Sequence, residues 1–487
     1  MSESKHPITR RDLLRGAAAA GMVALAMDSG AKTARASAKP PNIVFLLADD
    51  LGFADIACYG RPDLQTPNID AIAARGMRFS QAYANSAVCT ATRTALITGR
   101  YQYRLRVGLE EPLAGNPEVG LPPDHPTLPS LLRKVGYSST LIGKWHLGVL
   151  PKFGPLKSGY DHFYGFRGGA LDYFSHTTGR QDDLWDDDIP IHQTGYLTDL
   201  LGARAVKVIN AYAKSRQPFL ISLHFNAPHW PWEAPGDEAE SKRLAQPGSQ
   251  GLFDLDGGSQ KTYQGMIEAM DRQVGLVIEA LQANGLTDNT IVIFTSDNGG
   301  ERFADTWPFT GKKTELLEGG LRIPAVIAWP GRIPPGEKTD QVSISMDWVP
   351  TLLAAAGASP DPAFPLDGMN LLPFLGQTAA PVSRKLFWRY KANAQRAARD
   401  GDYKFLKILE NTFLFNVAED PLERANLKDR HSDIYRRLVR EWYEWNAGML
   451  PEIKESFTHS FTGQELADHF GAKPPSQEPD IPGPPDD

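Results

Sequence analysis

The sequence predicts an α/β protein with a large, mostly parallel sheet flanked by helices and a smaller C-terminal α+β domain. Three observations carry that expectation. The first is a set of largely apolar runs that end in charged or ligating residues: Asn42–Ala48 runs into Asp49 and Asp50, and residues 139–143 into Lys144 and His146. Residues 219–223 lead likewise to His224 and His229, and residues 291–296 to Asp297 and Asn298. Uninterrupted apolar runs suit strands buried on both faces, as in parallel sheets. Ligands of such sheets bind outside the carboxyl ends of the strands, so the four polar tails should converge on one crevice.

The second observation is helical patterning between those runs, which parallel strands need for their crossovers. Thr66-Pro67 opens one helix, with Ile69, Ile72 and Ala73 on one face and Gly76 as its stop. Met266, Met270, Val274, Val277 and Leu281 mark a longer amphipathic helix closing at Asn284-Gly285, its methionines read as core. The third is a change of texture after about residue 380. Leu386–Tyr390, the turn Asp400-Gly401-Asp402, Tyr403–Leu409 and Phe413–Asn416 read as short hairpin strands, and a helix follows from about Asp433 through Trp442. The last fifteen residues, from Lys473, are Pro-rich and acidic and have no core-forming pattern.

With 487 residues, 41% of them hydrophobic and 10% aromatic, the chain has the composition of a globular protein. A net charge of −7 leaves no broad footprint for nucleic acid. Two cysteines, Cys58 and Cys89, are too few for a disulfide framework, so each needs its own explanation. The N-terminus places Arg10-Arg11 before a short apolar run, Gly16–Met27, and small residues at Ala36-Ser37-Ala38. This resembles a twin-arginine export signal with its cleavage site, too short to span a bilayer, so the mature protein is expected to be periplasmic or secreted. The expected division is residues 1–38 as signal, 39–378 as catalytic α/β domain, 379–470 as C-terminal sheet and helix, and 471–487 as tail.

The sequence predicts a helix opening at Cys89-Thr90-Ala91-Thr92-Arg93, whose free N–H groups and dipole suit an anion. With Leu96-Ile97-Thr98-Gly99-Arg100 this stretch resembles the sulfatase signature, in which the cysteine is oxidised to formylglycine. Further blocks resemble the same family in order: residues 41–52, Gly143–Gly148, Gly159–Gly165, Ala227-Pro228-His229, Ser296–Gly299, Glu318–Arg322 and Asp420–Leu427. Together they span about residues 40 to 430. Ala91 departs from the pattern, standing where most members carry proline, which favours an anaerobic radical maturase over proline-dependent aerobic maturation. Cys58, beside Tyr59-Gly60, reads as framework.

Asp49, Asp50, Asp297 and Asn298 form an all-oxygen donor set, the preference of a hard cation. The resemblance implies Ca²⁺, with Mg²⁺ as the second candidate, bound against residue 89. It also implies an alkaline-phosphatase-like fold and hydrolysis of a carbohydrate or aryl sulfate through a formylglycine hydrate and a covalent sulfate ester at residue 89. Arg93, Lys144 and Lys313 would supply positive field, His146 the base that releases sulfate, and His229 the leaving-group acid with Lys313 beside it. Lys313 is preferred to its neighbour Lys312 for its spacing of five from Glu318. Residues 160–165 and 171–176 resemble glycan-directed and aryl-directed members, and a carbohydrate sulfate is the preferred substrate. The implied partners are that substrate, the maturation enzyme and the twin-arginine export machinery, without nucleic acid or stable membrane insertion. A phosphodiesterase or phosphonate monoester hydrolase of the same superfamily, or a sulfated-glycan-binding protein with unconverted Cys89, are the alternatives.

Overall fold

The computed structural model describes residues 39–178, 181–249, 251–253 and 257–461. The export signal and the Pro-rich tail of the sequence reading lie outside the described residues. From Pro40 the chain forms one unit. Its centre is Asn42–Ala48, seven residues without a polar interruption after the first and buried throughout. Alternate side chains serve opposite faces: Val44, Leu46 and Ala48 enter one core with Met266, Met270 and Val274, whereas Ile43, Phe45 and Leu47 enter another with Trp348 and Leu352. Burial on both sides explains why the run reads as continuously apolar.

Among the described residues ten strands make the main sheet. Its five central strands, Thr290–Ser296, Asn42–Ala48, Phe219–His224, Ser138–Lys144 and His162–Phe166, lie side by side in that order and are all parallel. Antiparallel pairing enters at Ala325–Ala328 on one flank and Trp185–Asp186 on the other. The fold is thus the large, mostly parallel sheet expected from the sequence, extended at both edges by short strands that carry little pattern of their own. His162–Phe166 overlaps the block Gly159–Gly165, whose resemblance to glycan-directed and aryl-directed members favours a sugar substrate. Its neighbour Tyr160 is buried and bonds the Ser222 hydroxyl at 2.9 Å, so this block contributes framework.

The helices lie where pattern and caps predict. Pro67–Ala74 begins on a proline that fixes φ at the first turn. Gln260–Ala283 is capped by Ser259, whose hydroxyl accepts from the Thr262 amide, and the chain leaves it through Gly285 in the left-handed region. Among the described residues no helix is long and apolar enough to cross a membrane.

Beyond the main sheet, Lys385–Tyr390, Gln395–Asp400, Tyr403–Ile408 and Asn411–Asn416 form a four-stranded antiparallel sheet, covered by helix Ser432–Asn446 through Leu438, Val439 and Trp442. The strand Gln395–Asp400 is missing from the sequence reading because two of its six residues are arginines, yet Arg396 and Arg399 are buried. A buried ion cluster ties this sheet to the segment that carries Lys313. Lys404 Nζ reaches Glu318 and Glu423, each at 2.9 Å, and Glu423 accepts the Glu318 amide at 2.6 Å. Tyr83 and Arg322 complete the shell around Glu318, whose carboxyl is held below the usual carboxylate range against the opposing effect of burial, by Lys404 first and Arg322 next. Glu423 belongs to the Asp420–Leu427 block, so that motif is a docking element between the sheets.

Candidate active site

Strand register brings the site together. Ala48 pairs with Ser296, so Asp49 and Asp297 leave adjacent parallel strands side by side. Asp297 donates its amide to the Ala48 carbonyl at 3.2 Å, and Ser296 Oγ accepts the Leu51 amide at 3.0 Å. Asp50 has φ of 63°, a left-handed kink that turns its carboxylate back over the sheet end. Gly299 is required by a close approach: a Cβ there would lie 2.1 Å from the Gly319 carbonyl, where the Ser296–Gly299 and Glu318–Arg322 blocks touch.

Three carboxylates face three cations. Lys144 Nζ lies 2.6 Å from Asp49, Lys313 Nζ 2.5 Å from Asp50, and the Arg93 guanidinium 2.8 Å from Asp297. All six are buried. Lys313 is therefore the site lysine of the adjacent pair. Burial pushes the Asp297 carboxyl up to about 7, with Asp49 adding to the shift and Arg93 opposing it. Asp50 is held low despite its burial, by Lys313 first and His229 next.

Asn298 Nδ2 donates to Asp50 at 2.7 Å, while Asn298 Oδ1 and Asp49 Oδ1 are buried acceptors without hydrogen-bond partners. Ligand atoms of Asp49, Cys89 and Asp297 lie within 4.8 Å of one another. Unsatisfied oxygens among clustered carboxylates are the donor set of a hard cation, so Asp49, Asp50, Asp297 and Asn298 fit such an ion and residue 89 would border it. The charge count agrees: the six ionic side chains cancel, and a divalent cation would give the cradle the positive excess that an anionic ester needs.

Cys89 is the first residue of the buried helix Cys89–Thr98. Its Sγ lies 3.3 Å from His146 Nδ1, and His146 Nε2 lies 2.9 Å from the Leu113 carbonyl. A carbonyl can only accept, so it assigns the proton to Nε2 and leaves the Nδ1 lone pair facing residue 89. Burial first, then Lys144, holds His146 well below its ordinary value and so neutral. Gly169 allows this ring its place, since a Cβ there would lie 2.6 Å from it. Burial also raises the Cys89 thiol, despite Lys144 and Lys313, so the unmodified side chain is a protonated thiol and a poor nucleophile at neutral pH. The first helical hydrogen bond runs from Thr92 N to Val88 O at 3.2 Å, so proline at position 91 would forfeit none, and the helix is indifferent to the Ala91 departure.

His229 follows the Phe219–His224 strand. Its Nδ1 lies 2.6 Å from the Trp230 carbonyl, its Nε2 lies 3.5 Å from Asp50, and Tyr173 donates to its own carbonyl at 2.9 Å. Burial and then Lys313 hold it well below its ordinary value. All ten residues expected at the site from the sequence thus lie in one buried cluster. His224, at the end of the same strand, has its Nδ1 3.5 Å from Arg93 Nη1. Cys58 is apart, packed against the core with its thiol pushed up to about 12 by burial.

Gln395 was unreadable from sequence. Its buried amide donates to the Thr314 carbonyl at 2.9 Å and accepts the Leu316 amide at 2.8 Å, clamping the turn after Lys313, where Thr314 has φ of 74°. Gln395→Leu would leave both backbone groups buried and unpaired. Urea denaturation should show a loss of roughly 2–4 kcal/mol, and steady-state rates a fall of about tenfold or more from misplacement of Lys313.

Paired carboxylates and cations around a helix N-terminus, with a base aimed at its first side chain, define a hydrolase site for an anionic ester. The chain belongs to the sulfatase family: the Sulfatase family model matches residues 41–358, and that of the N-sulphoglucosamine sulphohydrolase C-terminal region matches residues 309–446. It is similar to N-acetylgalactosamine-6-sulfatase of Rattus norvegicus, 33% identical over 390 residues, covering 75% of this chain and 71% of the relative. Arylsulfatase A of Homo sapiens is 32% identical over 427 residues, covering 80% and 79%. The crystal structure of Ps i-CgsB in complex with k-i-k-neocarrahexaose superposes with a TM-score of 0.77 at 31% identity, covering 88% of this chain and 98% of that one. The protein is an enzyme that hydrolyses sulfate esters.

Proposed function

We propose that the protein is an exported carbohydrate sulfatase that depends on formylglycine at position 89 and on a bound Ca²⁺, or Mg²⁺ in its place. The observation that carries this reading is the Cys89–His146 contact opposite the Asp49, Asp50, Asp297 and Asn298 set. The inertness of a buried thiol supports conversion, because the best-placed side chain is otherwise the wrong chemistry. Support for a sugar substrate comes from relatives named for an amino-sugar sulfate and solved with a hexaose. Twin-arginine export and a dedicated maturation enzyme complete the reading.

Formylglycine supplies, as its hydrate, one hydroxyl to attack sulfur and a second whose deprotonation releases sulfate, and the cation supplies Lewis acidity and charge. The chain supplies the rest. Lys144 and Lys313 neutralise sulfate oxygens, and Arg93, engaged with Asp297 and Asp49, orients the carboxylates. His146 Nδ1 faces residue 89 with a free lone pair and takes the proton of the second hydroxyl. His229 donates to the departing alcohol from Nε2, the nitrogen left facing Asp50 once Nδ1 is engaged by Trp230. Neutral in the free site, it takes up this proton from solvent as the anionic ester arrives.

His229→Ala tests the acid role. A sugar alkoxide needs a proton to leave and an activated phenolate does not, so the variant should lose about 10²-fold to 10⁴-fold on a sugar sulfate and clearly less on nitrophenyl sulfate. Equal losses on both, with residue 89 converted and metal bound, would move the acid role to Lys313.

A further inference from the structure

The loop between Asn298 and Lys313 carries an acid that none of these roles uses. Glu301 is 5% exposed, and neither carboxylate oxygen has a well-formed hydrogen bond, the backbone amide of the next residue, Arg302, acting on it only weakly. Among the described residues it is the one buried carboxylate with both oxygens in that state. The carbonyl of its neighbour Gly300 accepts the Lys313 amide at 2.9 Å, so Glu301 stands beside the backbone of the site lysine, and Lys313 and then Asp50 are the charges that act on it most. Lys313 itself is engaged by Asp50 at 2.5 Å.

A desolvated carboxylate without partners is costly, and beside a sulfate cradle it would also repel the substrate's anion. Both penalties are offset if it accepts hydrogen bonds from neutral donors that arrive with the substrate. Hydroxyl groups neighbouring a sugar sulfate are such donors. An aryl or simple alkyl sulfate brings none and would seal the acid away unpaired, the situation in which a polar site rejects an analogue most strongly.

We propose that Glu301 is a specificity-determining residue that accepts hydrogen bonds from sugar hydroxyls beside the scissile ester, favouring polyhydroxylated alcohols over aryl and alkyl ones. The inference rests on the carbohydrate reading and deepens it. It differs from the part given to His229, which responds to how poorly the alcohol leaves and not to what hydroxyls it bears. Hexyl sulfate separates the two, being a poor leaving group without further hydroxyls.

The experiment compares kcat/KM of the converted, metal-loaded wild type with Glu301→Gln and Glu301→Leu on N-acetylgalactosamine sulfate, hexyl sulfate and nitrophenyl sulfate. The sugar-to-hexyl ratio is expected to fall about 10-fold to 100-fold in Glu301→Gln, the weight of a hydrogen bond to a charged group, and further in Glu301→Leu. Both variants should melt no lower than the wild type, since the fold makes no firm bond to this carboxylate. Equal losses on all three substrates would overturn the proposal by showing that Glu301 acts through Lys313, and an unchanged ratio would overturn it by making Glu301 framework. A wild-type enzyme active on nitrophenyl sulfate but on no sugar sulfate would overturn the carbohydrate reading itself, a result visible before any variant is made.

Discussion

Cys89→Ala is expected to abolish turnover, by on the order of 10⁵-fold or more, while leaving the fold intact. Alanine is the best helix former and position 89 opens a helix, so the substitution removes only the side chain facing His146. In active protein the peptide containing residue 89 should be about 18 Da lighter than its cysteine form, the difference between thiol and aldehyde. Intact and peptide mass spectrometry with parallel sulfate-release assays checks both statements. Full activity from protein whose residue 89 is entirely unmodified thiol would sink the mechanism.

Removal of the divalent cation should reduce activity by about 10³-fold or more, and Asp297→Ala should match it. Without the ion the three carboxylates are balanced by Arg93, Lys144 and Lys313, and no positive excess remains to hold an anionic ester. Cation affinity should also depend on pH. Asp297 is pushed up to about 7 by burial and then by Asp49, and a cation competes with the proton for that carboxylate. Affinity should therefore be greatest above about pH 7 and weaken as pH falls below it. Titration of chelator-stripped protein with Ca²⁺ at about pH 6 and about pH 8 measures the difference. Binding that is tighter at the lower pH, or metal analysis finding zinc held through histidines, would contradict the assignment.

The sequence determined which residues could do chemistry and at which ends of which strands they stand. Asn42–Ala48, buried on both faces, has to be apolar throughout, so its end at Asp49 stands out, and the same logic exposes Lys144, His229 and Asp297. Such signals are legible because they depend on the burial of one segment. Partnership is decided elsewhere. That Lys144 pairs with Asp49 and Lys313 with Asp50 follows from strand register and from the left-handed turn at Asp50, which no residue pattern encodes. Gln395 and Lys404 look like ordinary polar residues of short strands, and only the docking of the second sheet turns them into the clamp behind Lys313 and the ion cluster behind Glu318. Glu301 likewise acquires its character from being enclosed without a partner. Local propensity and periodicity act over a few residues and can be read in one dimension. Burial of a charge, and the identity of the group that answers it, are set by contacts between segments tens to hundreds of residues apart, so they were settled only when the chain closed on itself.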